Sequence, residues 1–162
     1  MATVEVTFTP LPAHVRTARL VATAVARRSG VAETLLDEVR LAVGEACSRA
    51  VEAHRRYCPA EPVRIELTDV GGRFEVVVTD AAPPDAGSGA GGFAPVMGTA
   101  AVSAANGGSV PFHPVSAETR DGAFPAAFGL AVISGLADEV QVLSTESGLS
   151  VRMSWPVVAA AR

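Results

Sequence analysis

The side chains able to do chemistry in this sequence are few and unevenly spaced. Glu45 and Arg49 stand four positions apart within residues 32–56, where Leu35, Val39, Ala42, Val43, Ala46, Ala50 and Ala53 recur at helical spacing. That separation puts a carboxylate and a guanidinium on adjacent turns of one helix face, so a salt bridge is available to them. With Val39 at the origin of a helical wheel, Glu38, Glu45, Arg49 and Glu52 fall within a wedge of about 60° away from the apolar stripe. Such a polar stripe is either a solvated, ion-paired surface or the wall of a polar pocket. Asp80 closes the alternating run that begins at Phe74. A carboxylate there can accept a hydrogen bond from a ligand, or it can start a turn ahead of Pro83 and Pro84. His14, His54 and His113 are dispersed, which predicts no metal cluster and places them at the surface or in a connecting segment. Cys47 and Cys58 lack a CxxC or a paired histidine motif and are expected as free thiols, with no disulfide or zinc.

Elements that position these residues follow from periodicity and punctuation. Val4, Val6 and Phe8 alternate with polar residues and predict a half-buried strand ending at Pro10. A helix is expected from Pro12, with Val15, Ala18, Ala22 and Val25 inward and Arg16, Arg19, Arg27 and Arg28 outward, until Gly30 stops it. After the 32–56 helix, strands at 63–67 and 74–78 flank the turn signal Asp69-Val70-Gly71-Gly72 and form a hairpin. Residues 81–126 are rich in Gly, Pro, Ala and Ser without periodicity and predict a lid-like insertion. A short apolar helix at 128–137, strands near 140–142 and 149–155 with Trp155 in the core, and a frayed tail at 157–162 complete the chain. This order predicts an α/β (α+β) two-layer sandwich: a mixed, mostly antiparallel sheet with helices on one face.

Composition narrows the function classes. At 162 residues, 49% hydrophobic and 19% charged, the chain is expected to form one domain spanning 1–162 with a continuous core. A net charge of −4 supplies no general attraction to nucleic acid or to an anionic membrane. The opening segment has no cationic start or apolar run, and no stretch reaches membrane-spanning length, so a cytoplasmic location is expected.

Three segments carry a family resemblance. Residues 36–51, LDEVRLAVGEACSRAV, resemble the signature helix of the GHKL (Bergerat-fold) ATPases, specifically the anti-sigma-factor serine kinases, which reads L-x-L-A-x-x-E-A-x-x-N-A-V. Glu45 matches the acidic position, and Arg49 holds the place of the asparagine. Residues 76–80, VVVTD, look like the strand that ends in the adenine-contacting aspartate of D-x-G-x-G, with Ala82 and Pro84 in place of glycines. Residues 128–138, FGLAVISGLAD, look like the second glycine box; Gly129 and Leu130 match, and Ala127 replaces the first glycine.

The resemblance implies a Bergerat ATP-binding fold with Glu45, Arg49, Asp80, Gly129 and Leu130 around a nucleotide, ATP or ADP. Glu45 would be the catalytic residue of an active kinase, and Asp80 would accept the adenine amine. Phosphoryl transfer needs a carboxylate and a metal together because it builds negative charge. The family's asparagine coordinates Mg²⁺, and a guanidinium in its place cannot. Ala82, Pro84 and Ala127 remove backbone latitude around phosphates. The lid-like insertion offers Gly87, Gly89, Gly91, Gly92, Gly107 and Gly108 for mobility, but its one cation, Arg120, faces Asp85, Glu118 and Asp121. Implied partners are a sigma factor and a STAS-type anti-sigma-factor antagonist that bind in exclusive complexes, with a homodimer also implied. Three functions stand: a binding regulator with weakened or lost kinase chemistry, an active Mg/ATP-dependent serine/threonine kinase acting on the antagonist, and an adaptor in which Arg49 fills the metal position of a closed pocket.

Overall fold

The computed structural model describes residues 2–83 and 126–158, without the side chains of 126–129. The chain opens with strand β1 (Ala2–Phe8) and helix α1 (Pro12–Ser29). Pro12 starts α1 because its fixed φ suits a first turn, and Gly30 ends it at φ 92°, returning its N–H to the Ala26 and Arg27 carbonyls. A single 3-10 turn, Glu33–Leu35, leads into helix α2 (Leu36–Tyr57), so the second helix begins later than residue 32. The hairpin of β2 (Val63–Val70) and β3 (Arg73–Thr79) turns on Gly71 and Gly72, both at positive φ. Helix α3 (Ala126–Leu136), β4 (Glu139–Thr145) and β5 (Gly148–Pro156) follow. Of the expected lid, residues 84–125, including Pro84 and His113, lie outside the described residues.

The five strands form one sheet in the order β1-β2-β3-β5-β4. Every adjacent pair is antiparallel, in place of the mixed sheet expected from the long connection. The reason is topological. Strands that run in the same direction, such as β3 and β4, are kept apart by one that folds back between them, here β5.

Alternation then sorts the strands into two faces. Ile65, Leu67, Phe74, Val76, Val78, Val151, Met153 and Trp155 point toward the helices and are buried with Val15, Ala18 and Ala22 of α1 and Val39, Val43, Ala46, Cys47 and Ala50 of α2. Each fully buried Leu, Ile, Val or Phe contributes about 1.5–3 kcal/mol relative to exposure. The Trp155 indole satisfies its one donor on the Leu136 carbonyl at 3.0 Å, which ties β5 to the end of α3. The opposite face carries ion pairs, Arg64 to Glu5 across strands and to Glu66 along β2, and Arg152 to Glu75 across strands. The expected tail begins later than Val157. Val157 donates to the Gly72 carbonyl and Val158 to the Gly30 carbonyl, each at 3.0 Å. Among the described residues no helix is long and apolar enough to cross a membrane.

Candidate functional site

Asp80 stands where β3 leaves the sheet, and four groups converge on it. Its backbone N–H donates to the Leu149 carbonyl at 2.9 Å, and the Leu149 N–H returns to Asp80 Oδ1 at 3.1 Å. The Ala82 N–H donates to the same oxygen at 3.1 Å, the turn-starting bond an aspartate makes two residues on. Arg49 Nη2 donates to Oδ2 at 2.5 Å. The Asp80 side chain is 1% exposed and that of Arg49 14%. In such surroundings two charges attract strongly but have lost hydration, so each is committed to the other. A carboxylate has about four acceptor positions. Three are taken.

The β4–β5 turn reaches Asp80 only because of Gly148. At φ 138° it lies so close that a Cβ there would overlap the Asp80 carbonyl oxygen. Arg49 stands on α2 near the buried Ala46 and Ala50, and its head meets Asp80 just past the end of β3. Its Nε is buried and finds no acceptor among the described residues. The salt bridge available between Glu45 and Arg49 is not made. Arg49 is drawn to the more deeply buried carboxylate, and Glu45 is half-buried with no ion pair among the described residues.

His54 is the largest departure from expectation. It is fully buried, not at the surface. Its Nδ1 lies 2.8 Å from the Glu61 carbonyl and its Nε2 accepts the Ala81 N–H at 2.8 Å. A proton on Nδ1 satisfies both bonds, so the ring fixes the residue after Asp80 to the end of α2. A signal for this exists in the sequence: His54 follows Ala50 by four along the stripe assigned to the core. His14 is half-buried, near the Thr9 carbonyl and edge-on to Phe8. Gly129 falls in the first turn of α3, and Leu130 packs against the main core.

Arg19, expected outside, lies partly buried against α2, where Gly44 leaves room for it. Burial pushes the nearby Cys47 thiol up to about 12, with Arg19 pulling the other way. Cys58 is half-buried; its thiol is pushed up by burial first, then by the charges of Asp80 and Glu61. Both cysteines are free.

With this geometry in place, comparison with known proteins identifies the class. Residues 8–155 match the histidine kinase-like ATPase domain, and the chain belongs to that family. Among solved structures it is similar to the RsbU and RsbW domains of Rv1364c from Mycobacterium tuberculosis, with 14% identity and a TM-score of 0.61. That match covers 100% of this chain and 34% of the other, so this chain spans about a third of its length. No curated protein matches.

The family implies a nucleotide, with Mg²⁺ on its phosphates. The residues present do not fit the metal: a buried guanidinium occupies the asparagine position, and a second cation beside it would be repelled. Among the described residues no group of three His, Cys, Asp or Glu side chains could hold a metal ion. Asp80, the carboxylate that the resemblance assigns to adenine, is enclosed by Arg49, Ala82 and Leu149.

Proposed function

We propose that this chain is a regulator of the anti-sigma type, working by protein binding, whose nucleotide site is held shut by its own arginine. The observation that carries the proposal is the Arg49–Asp80 bridge, which uses the carboxylate the family resemblance assigns to adenine. Loss of the asparagine removes the ligand for Mg²⁺ at the same point, so base recognition and metal recruitment are both impaired by one substitution. The partners are a sigma factor and a STAS-type anti-sigma-factor antagonist, each excluding the other. Their support is the signature-helix resemblance together with the fold shared with a structure that contains an RsbW domain. Mixing the purified chain with candidate antagonists and sigma factors should give a complex at micromolar concentration without nucleotide. Absence of any complex across the candidates would reject the proposal.

One observation favours a second reading, a Mg/ATP-dependent serine/threonine kinase acting on the antagonist. Glu45 is half-buried with no ion pair among the described residues, which leaves its carboxylate available to orient a hydroxyl. Transfer of labelled phosphate from ATP to the antagonist, abolished in Glu45→Gln, would establish that reading over the first.

A further inference from the structure

Between the start of α1 and the second half of α2 lies a cleft of about 270 Å³ whose walls include Arg16, Arg19 and Arg55, with Ser48 and Glu52. Its charge is unusual for this molecule. Arg27, Arg40, Arg49, Arg56, Arg64, Arg73 and Arg152 each hold a carboxylate. Arg16, Arg19, Arg28 and Arg55 hold none among the described residues, and three of these four, Arg16, Arg19 and Arg55, line the same cleft. Arg16 and Arg19 are also three residues apart on one helix, a spacing at which like charges repel.

The middle arginine is seated rather than solvated. A Cβ at Gly44 would overlap Arg19 Nε and lie 2.8 Å from Arg19 Cζ and Nη2, so the guanidinium rests on the bare backbone of α2. Its Nε is buried without a hydrogen-bond partner among the described residues. A guanidinium held in place has already lost the rotamer freedom that binding would otherwise cost. The start of α1 adds to the positive potential, since its first turn has no acidic residue and its N-cap, Leu11, makes no side-chain cap. Glu52 is the one carboxylate in the cleft and is shared with Arg56 at 3.5 Å. Three guanidinium groups and one carboxylate leave a net charge of 3 − 1 = +2. A phosphate group carries about −1.5 to −2 at neutral pH and matches that charge, whereas a single carboxylate leaves half of it. Ser48 supplies a hydroxyl donor on the same wall.

We propose that this α1–α2 cleft is a phosphate-binding site, with Arg16, Arg19 and Arg55 as its cations and Gly44 as the seat that positions Arg19. The ligand is a small phosphate compound, either inorganic phosphate or pyrophosphate or the phosphate chain of a nucleotide. The site is separate from Asp80 and does not depend on the regulatory role proposed above.

Calorimetric titration of the full chain with phosphate, pyrophosphate and ATP tests it. Pyrophosphate should bind at millimolar concentration or below, and ATP should displace it if the source is a nucleotide but not if the source is the free anion. Affinity should fall about tenfold or more in Arg19→Gln, as expected for removal of a charge-assisted contact. Gly44→Ala should weaken binding too, although it removes no charge. Arg55→Gln sits at an exposed position and should reduce affinity while the fold is kept, which guards against misfolding of the other two variants. Arg64→Gln, on the sheet face away from the helices, should leave pyrophosphate binding unchanged. Failure of both phosphate and pyrophosphate to bind at millimolar concentration, or binding unaltered in Arg19→Gln and Arg55→Gln, overturns the proposal.

Discussion

Arg49 and Asp80 form a pair whose halves depend on each other unequally. Asp80 keeps two backbone donors if Arg49 is removed, whereas Arg49 without Asp80 would be left with a largely enclosed charge and no acceptor among the described residues. Removing one partner of a buried pair costs about 3–5 kcal/mol when nothing compensates. Chemical denaturation should therefore show Asp80→Ala in that range and Arg49→Met nearer 1–3 kcal/mol. Equal losses would mean that the backbone donors contribute little. Cys47 offers a test by pH. Its folded-state value is about 12 against 9.0 for the free thiol, so the folded state binds the proton more tightly. The sign follows from linkage: this contribution is fully present below pH 9 and is lost as pH rises toward 12, by about 1.4 kcal/mol per unit. Alkaline denaturation midpoints should show that slope, and Cys47→Ala should flatten it.

At the scale of elements, the β4–β5 turn holds the site while the β2–β3 turn lies at the far end of β3, and their glycines differ in what they prevent. A methyl added at Gly71 would meet nothing within 4 Å, so Gly71→Ala should cost only the strain of a positive φ, about 1–2 kcal/mol. Gly148→Ala would drive a methyl into the Asp80 carbonyl and should cost more than that while loosening the Leu149–Asp80 bonds. Thermal unfolding of the two variants should rank them in that order, and amide exchange at Leu149 should rise only in the second. The same contrast explains what is legible in the sequence. Strand alternation at 63–67 and 74–78, the Pro12 start and the Gly30 stop are local signals, and the structure keeps each of them. The Arg49–Asp80 bridge joins residues 31 apart, and no periodicity records which strand end a helix faces. The burial of His54 escapes local reading because a polar ring on an apolar stripe is enclosed only where two partners meet it, here Glu61 and Ala81. The seat of Arg19 on Gly44 is hidden for a related reason: a glycine inside a helix marks a close approach without saying what approaches.

For the whole molecule, the closure proposed for the site would set stability against ligand binding. Any nucleotide that uses Asp80 must first separate it from Arg49, so its apparent affinity is reduced by the fraction of molecules in which the bridge is open. Arg49→Asn removes that barrier and restores an amide at the position the family uses for metal. The unliganded variant should melt lower, since about 1–3 kcal/mol of pairing is lost and each kcal/mol moves the midpoint of a domain this size by about 2–4 °C. Saturating ADP with Mg²⁺ should then raise its midpoint more than it raises that of the original chain, because a ligand stabilises in proportion to the logarithm of its concentration over its dissociation constant. Ala82 stays in both proteins, so the gain is limited to what the bridge withheld. A midpoint that falls in Arg49→Asn with no larger response to ADP would place the defect in the missing glycines. A large ADP response in the unaltered chain would show that Arg49 yields readily and that the site is not held shut.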